Sequence, residues 1–68
     1  MGMEIIVNGQ QQNVPETYTA AQLVDDMGLV GQRIAMEVNL EIVPRSVYAQ
    51  HALRSGDKVE IVHAVGGG

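Results

Sequence analysis

The sequence contains no cysteine, phenylalanine or tryptophan. Without cysteine the chain can form neither a disulfide framework nor a thiolate metal site, so packing alone has to hold the fold together. Tyr18 and Tyr48 are the only aromatic residues, which predicts a core made almost wholly of aliphatic side chains. A chain of 68 residues is long enough for one domain, and a domain of that size buries only about 60% of the surface that its unfolded chain exposes.

Basic residues are also scarce, with four Lys and Arg against eight Asp and Glu and a formal net charge of −4. No basic cluster could follow a phosphate backbone, so we expect no nucleic-acid partner. No apolar run approaches the roughly 20 residues that span a bilayer, and no basic segment precedes an apolar stretch as in a secretory signal. We therefore expect a soluble, cytoplasmic protein with no membrane partner. Met1 and Gly2 have the appearance of an expression remnant or an alternative start, which places the domain at residues 3–65.

The beginning of the chain predicts a β-hairpin. Met3 to Asn8 is an apolar, β-rich run. The Asn8-Gly9 pair after it favours the positive φ angles of a type I′ turn. A second strand should then run to about Val14. Pro15 has no amide donor, so it should end that strand or confine it to a sheet edge.

A short helix is predicted next. Thr19 and Gln22 match a capping box, in which each side chain satisfies a backbone amide at the start of a helix, so the helix should begin at Ala20. Gly28 fits the left-handed position beyond the helix end, with Leu29 as the apolar contact that accompanies it. The apolar residues fall on one helix face at three- and four-residue steps, as expected for packing on a sheet: Ala20, Leu23, Val24 and Met27.

The second half of the chain predicts two short strands, a helical turn and a last strand. Residues 34–43 would form the two strands around a tight turn at Asn39-Leu40, and Pro44 would end the second one. Ser46 is a candidate cap for a short helical turn over residues 47–49. Residues 55–57 would turn the chain into the final strand, Lys58 to Val65.

This element order predicts an α+β fold with one main helix across one face of a mixed, four- to five-stranded sheet. Pairing the first and last strands in parallel at the sheet centre gives the β-grasp, or ubiquitin-like, arrangement. Four inward-facing residues would then lie under the helix: Ile5, Val7, Val59 and Ile61. Alternation places Ile6 and Val62 on the opposite face, where no second layer covers them. Two exposed aliphatic side chains there predict a docking patch.

The sequence gives little indication of a catalytic or metal-binding site made of side chains. His51 and His63 are the only histidines, and neither has a ligand-type neighbour at metal spacing, so we expect no metal and no bound cofactor. Asp25 and Asp26 would point about 100° apart on a helix and would not share a site. Arg45, at a strand end, could clamp a carboxylate on a partner or inside the domain, and both alternatives stay open.

The sequence ends on Gly66, Gly67 and Gly68, directly after the predicted last strand. Glycine has no Cβ and loses more backbone entropy on ordering than any other residue, so we expect residues 66–68 to form a thin, flexible tail. Such a tail could enter a narrow channel and present the Gly68 carboxylate without a side chain in the way. We expect no proteolytic maturation beyond Gly68. A frayed terminus is the simpler interpretation of the glycines taken alone.

Several segments together resemble the ThiS family, the sulfur carrier proteins of thiamin biosynthesis. They are Asn39, residues 42–46 (IVPRS), Gly56-Asp57, residues 59–62 (VEIV) and residues 64–68 (AVGGG). The resemblance extends more loosely over residues 3–38. It implies a β-grasp carrier that is not itself an enzyme and is modified at its terminal glycine, which here is Gly68.

The resemblance also implies the partners and the chemistry. A ThiF-type adenylyltransferase would adenylate the Gly68 carboxylate with ATP, and a sulfur-donor system would convert it to a thiocarboxylate. The sulfur would then pass to a ThiG-type thiazole synthase. Gly67 and Gly68 match the terminal pair of the family, and Gly66 is an additional glycine. The expected partner-binding residues are Ile6, Val62, Ala64, Val65, Gly66 and Gly67.

Two other functions remain open at this point. A sulfur carrier for molybdopterin synthase has the same fold and the same terminal diglycine, although the segment Ile42 to Ser46 favours the thiamin family. A ubiquitin-like protein modifier, or a passive interaction module, would use the same fold with a tail that forms an amide with lysine or does nothing.

Overall fold

The computed structural model describes residues 2–64 of the chain. They form five strands, one α-helix and one 3₁₀ turn. The strands are β1 (Gly2–Val7), β2 (Gln10–Pro15), β3 (Ile34–Val38), β4 (Glu41–Val43) and β5 (Lys58–His63); the helix is α1 (Ala20–Asp26), and the 3₁₀ turn spans Arg45–Val47. Val65 and the predicted tail at residues 66–68 lie outside the described residues.

The five strands form one mixed sheet in the order β2-β1-β5-β3-β4. β1 and β5 are parallel neighbours at its centre, and the other pairs are antiparallel. The predicted β-grasp arrangement is therefore confirmed. Pro15 is the last residue of β2, which is an edge strand, so its missing amide interrupts no ladder inside the sheet.

Both hairpin turns place two consecutive residues at positive φ. Asn8 and Gly9 have φ of 49° and 83°, and Asn39 and Leu40 have φ of 52° and 71°. Two central residues in this region define the type I′ turn, whose twist matches that of the flanking strands. The two predicted turns are confirmed, although the second holds a leucine in a conformation that costs a residue with a Cβ about 1–2 kcal/mol.

The predicted signals at both ends of α1 are confirmed. The Thr19 hydroxyl accepts from the Gln22 amide at 3.2 Å, and the Gln22 side chain accepts from the Thr19 amide at 2.9 Å. At the other end Gly28 has φ of 72°, and the Leu29 amide donates to the Val24 carbonyl at 3.0 Å. This is the Schellman arrangement that ends many helices on a glycine.

The core lies between α1 and the face of the sheet that α1 covers. Its largest fully buried side chains are Ile5, Leu23, Met36 and Val59, and the other buried apolar residues are Val7, Val14, Tyr18, Ala20, Val24, Val38, Val43, Tyr48, Leu53 and Ile61. The four residues predicted to lie under the helix are all among them. No polar or charged residue within residues 2–64 is buried, so the domain depends on apolar packing and backbone hydrogen bonds.

The predicted cap at Ser46 is wrong. The 3₁₀ turn begins two residues earlier than predicted, at Arg45, with Pro44 in the N-cap position and no side-chain hydrogen bond to the turn. Pro44 has φ of −64° and ψ of 145°. The pyrrolidine ring fixes that φ, and the chain enters the turn directly after the proline, which leaves Ser46 inside it.

Candidate partner-binding site

The site is built around the end of β5, the strand that leads to the glycines. Val7 opposite Val59 is the last register pair between β1 and β5, because the chain turns away at Asn8-Gly9. β5 continues to His63 with β3 on its other side, where His63 lies opposite Ile34. Among the described residues no strand covers the β1 side of β5 beyond Val59.

The backbone hydrogen bonds define which groups face this uncovered side. The Ala64 amide donates to the Arg33 carbonyl at 3.0 Å, and the Lys58 carbonyl accepts from the Asn39 amide at 2.8 Å. Even-numbered residues of β5 therefore bond to β3, and odd-numbered ones face the other way. The Ile61 amide donates to the Asn8 side-chain oxygen at 2.9 Å. The Ile61 carbonyl and the His63 amide follow it on that side, and we call this segment the open edge of β5.

Val62 and Ile6 both lie on the sheet face opposite α1, as predicted, but they do not lie side by side. Val62 is 58% exposed and its register partner is Ala35. Ile6 is half-buried and pairs with Lys58, four residues earlier along β5. The position between them on β5 is occupied by Glu60. The apolar surface near the end of β5 is therefore centred on Val62 and Ala35, and Ile6 lies at the far end of the same face.

This outer face is acidic between its apolar positions. Glu37 and Glu60 are register partners on β3 and β5, and their neighbours in each strand, Met36, Val38, Val59 and Ile61, are buried on the other face. Two like charges in direct cross-strand positions destabilise a sheet. Ile42 lies opposite Glu37 on β4 and is 73% exposed. The face thus combines exposed aliphatic side chains with a directly opposed pair of carboxylates.

Polar contacts hold the loop beside the end of β5. His63 Nε2 and the Gln32 side-chain oxygen lie 2.9 Å apart. Arg45 Nη2 donates to the Gln32 carbonyl at 2.6 Å. Inside the domain, Arg45 therefore donates to a backbone carbonyl rather than to the carboxylate that was predicted there. The other alternative, a carboxylate on a partner, stays a prediction. These contacts position the loop next to Arg33, which receives the Ala64 hydrogen bond.

Asn39 has a structural role that the sequence interpretation missed. Its side chain donates to Asp57 Oδ1 at 2.9 Å and accepts from the Lys58 amide at 3.0 Å. Asp57 Oδ2 in turn accepts from the Arg54 amide at 2.8 Å. The β3–β4 turn is thereby fastened to the start of β5. Asn39, Gly56 and Asp57 all belong to the segments that carry the family resemblance. Their spacing in those segments was the only signal in the sequence for this structural role.

Within residues 2–64 no three His, Cys, Asp or Glu side chains are grouped so that they could hold a metal ion. The one α-helix of that region has seven residues; no described helix is long and apolar enough to cross a membrane.

Ala64 is exposed and adjoins β3 through its hydrogen bond to Arg33. The other predicted site residues, Val65, Gly66, Gly67 and Gly68, lie outside the described residues.

Fold and site together define a ubiquitin-like β-grasp domain whose central strand leads, past an open edge, to a terminal glycine sequence. The model of the ThiS family matches residues 4–68, which is nearly the whole chain. The protein therefore belongs to the ThiS family, and the resemblance predicted from its sequence is confirmed.

Similar proteins agree with this assignment. A solved crystal structure of the thiamine biosynthesis protein ThiS from Geobacter metallireducens is 26% identical, with a TM-score of 0.84 over 97% of this chain and 100% of that one. The sulfur carrier protein ThiS of Escherichia coli is 29% identical, and the match covers 97% of this chain and all of that protein.

Other relatives are much longer. A thiazole synthase of Paramagnetospirillum magneticum is 44% identical over 66 residues, and one of Magnetococcus marinus is 33% identical over 66 residues. This chain spans only 20% of the length of each of these two relatives. A domain similar to it thus forms part of larger proteins named for thiazole synthesis.

Proposed function

We propose that this protein is a sulfur carrier for thiamin biosynthesis and that it carries the sulfur as a thiocarboxylate on Gly68. The observation that carries the proposal is the family match, which runs from residue 4 to residue 68 and so includes the glycines. The Escherichia coli relative, which matches over its whole length, is named for this role.

The proposed chemistry needs an activating partner. A carboxylate is a poor electrophile, so an oxygen of the Gly68 carboxylate first attacks the α-phosphate of ATP and pyrophosphate leaves. Hydrosulfide released by the donor system then attacks the carbonyl carbon, AMP leaves with its electron pair, and the thiocarboxylate remains. Positioning of the reactants and stabilisation of the phosphate charge are supplied by the partner's active site. The carrier contributes a terminus without side chains, and it is a co-substrate rather than an enzyme.

The activating partner would be a ThiF-type adenylyltransferase, and we propose that it binds the outer face and the open edge of β5. Val62 and Ala35 provide apolar surface next to that edge. The Ile61 carbonyl and the His63 amide are free to pair with an extended segment of the partner, as in β-augmentation. Glu37 and Glu60 would be matched by basic side chains on the partner, which removes their mutual repulsion. Ile6 contributes at the margin of this surface.

The acceptor of the sulfur would be a ThiG-type thiazole synthase. The two thiazole synthases that contain a region similar to this chain support that partner. In such proteins the carrier-like region and the rest of the chain are covalently joined, which favours a carrier that works directly with the synthase. The same terminal segment, Ala64 to Gly68, would enter both partners in turn, and any side chain at Gly67 or Gly68 would obstruct both active sites.

Intact-mass spectrometry tests this proposal. The protein would be produced with its ThiF-type partner, ATP and a sulfur donor, and a second sample would be prepared without ATP. We expect an ATP-dependent mass increase that matches the exchange of one oxygen for sulfur at Gly68. Covalent attachment to lysine of other proteins would instead favour the protein modifier. No change in the presence of a demonstrably active partner would overturn the carrier function.

The acceptor can be tested separately. The thiocarboxylate form would be offered to thiazole synthase and to molybdopterin synthase, and loss of the thiocarboxylate mass would be followed in each. Transfer of sulfur with thiazole synthase only is the expected outcome. Transfer with molybdopterin synthase only would show that the carrier serves the other pathway.

A further inference from the structure

Lys58 is the only lysine of the chain. It is the first residue of β5 and is exposed on the outer face of the sheet. An acyl group that is activated for attack by sulfur is also open to attack by a primary amine. If Gly68 is activated as proposed above, the one side-chain amine of the carrier that could destroy the activated state is therefore Lys58.

The fold places Lys58 at the start of β5, whereas Ala64, the last described residue before the glycines in the sequence, follows the other end of the strand. Six residue steps separate Lys58 from Ala64, which corresponds to about 20 Å along a strand. β1 runs parallel to β5, with Ile6 opposite Lys58, and it begins four residues earlier, at Gly2. The N-terminal end of the described chain thus lies still farther from Ala64, by about 13 Å.

Four residues follow Ala64 in the sequence, and covalent geometry limits their reach to about 14 Å even when they are fully extended. To approach Lys58 they would also have to reverse direction. A β-turn uses four residues, so a turn that starts at Ala64 returns Gly68 only to the level of His63. The remaining five steps, about 16 Å, are longer than the four-carbon stem of a lysine.

We propose that Lys58 is the side-chain acceptor of acyl transfer from the activated Gly68 of a second copy of this chain, and that the fold prevents the same transfer within one chain. In this step the neutral Lys58 amine attacks the Gly68 carbonyl carbon. The new C–N bond forms as the bond to the leaving group breaks; the leaving group departs with its electron pair, and the amine releases a proton to solvent. The leaving group is AMP in the adenylate and a thiolate in a thioester.

This placement would allow an activated carrier to persist at low concentration while it waits for its sulfur donor. Self-acylation would be bimolecular, so its rate would rise with the square of the protein concentration. The inference rests on the proposed activation of Gly68, but it can be tested without the activating enzyme.

The test uses the full chain with Gly68 converted to a mercaptoethanesulfonate thioester by cleavage of an intein fusion. This probe supplies an activated acyl group directly, so a failure of enzymatic adenylation would leave the result interpretable. Samples would be incubated in mildly alkaline, amine-free buffer over a range of protein concentrations. Intact mass separates a covalent dimer from a cyclised monomer, and tandem mass spectrometry locates the new amide.

Two variants make the test specific. Lys58→Arg removes the acceptor and keeps the charge, so it should abolish the side-chain-linked dimer. Arg33→Lys places an amine on the exposed residue whose carbonyl binds the Ala64 amide, so it should produce a cyclised monomer whose yield does not depend on concentration. The wild-type chain should give a Gly68–Lys58 dimer that increases with concentration.

Three results would overturn the proposal. The first is a wild-type cyclised monomer linked through Lys58. The second is a dimer that is linked only through the α-amine or that persists in Lys58→Arg. The third is the lack of any Gly68–Lys58 amide at the highest concentration while Arg33→Lys cyclises under the same conditions. Circular dichroism of all three proteins would verify that each retains the fold.

Discussion

Glu37 and Glu60 occupy directly opposed positions on β3 and β5, with both carboxylates on the uncovered face of the sheet. A like-charge pair at such positions lowers stability, and Lys58, two residues from Glu60, is the one basic side chain on that stretch of β5. A domain with a small core retains this unfavourable pair at the centre of its proposed docking face. The arrangement is understandable if a basic partner surface neutralises it on binding.

Glu60→Gln should therefore separate stability from binding. We expect the free energy of unfolding to rise by about 0.2–1 kcal/mol, because the repulsion with Glu37 is removed. The affinity for the ThiF-type partner should fall, and it should depend less on salt. Urea denaturation and titration calorimetry at two salt concentrations measure the two effects. Glu16→Gln, at an exposed residue outside the sheet, is the matched control. Equal effects of both variants on binding would contradict the prediction.

Val62→Asp should weaken the complex with the activating enzyme without unfolding the domain. Val62 is 58% exposed, so a carboxylate there stays hydrated in the free carrier and is desolvated only in the complex. Leu40→Asp is the matched control, because Leu40 is 87% exposed and lies in the hairpin turn at the opposite end of the sheet. The affinity measured by titration calorimetry should fall for Val62→Asp and stay unchanged for Leu40→Asp. The reverse order would place the docking surface at the β3–β4 turn.

Gly67→Val should suppress adenylation and leave the fold intact. The substitution lies beyond the described domain, and a β-branched side chain would obstruct a narrow channel in the partner. Gly67→Ala provides a graded control, with a smaller loss expected. ATP–pyrophosphate exchange measures adenylation, and thermal unfolding measures the fold. An unchanged exchange rate in Gly67→Val would show that the terminus does not enter a confined site.

The side-chain hydrogen bonds of Asn39, which we call the Asn39 tether, should contribute measurably to the free energy of unfolding. Asn39→Gly keeps the positive φ of the turn but removes the two hydrogen bonds to Asp57 and Lys58, which should cost about 1–2 kcal/mol. Asn39→Ala should cost about 1 kcal/mol more, because a Cβ is unfavourable at that φ. Urea denaturation of both variants gives the two increments. Equal stability of Asn39→Gly and the wild type would show that the tether contributes nothing.

Tyr18 should make the fold sensitive to alkali. Burial raises the pKa of Tyr18 from 10.0 to about 12, and its hydrogen bond to Asp26 acts in the same direction. Because the folded pKa is the higher one, the native state binds the proton more tightly, and this contribution is fully present below pH 10.0 and is lost as the pH rises towards about 12. Denaturation at a series of alkaline pH values should show this loss in the wild type. Tyr18→Phe should be less stable than the wild type at neutral pH. Between pH 10.0 and about 12 the variant should lose less of its stability than the wild type does.

Local signals predicted the elements well because their causes are local. Asn8-Gly9 favours a type I′ turn. Thr19 and Gln22 bond to each other's backbone amides within one helical turn, and Gly28 ends the helix by its positive φ. Ser46 shows the limit of such signals. A serine before a helical run satisfies the same pattern, but the fixed φ of Pro44 decided where the turn began.

The long-range contacts could not be read from the sequence. Asn39 and Asp57 are 18 residues apart, and Asn8 and Ile61 are 53 residues apart, so their hydrogen bonds exist only once the sheet has formed. Alternation correctly placed Ile6 and Val62 on one face. It gives no register between β1 and β5, and the four-residue offset that separates these two side chains depends on that register.

The hydrogen bond from the Ile61 amide to the Asn8 side chain also has a consequence for alignment. It occupies the first position of β5 beyond β1, so a partner segment that pairs with the open edge can start only at the Ile61 carbonyl. A slip of one residue would move the terminal carboxylate by about 3.3 Å, whereas a misplacement of about 1 Å is enough to slow an enzymatic reaction substantially. Asn8, at the far end of the sequence from Gly68, would thus determine the depth to which the terminus enters its partner.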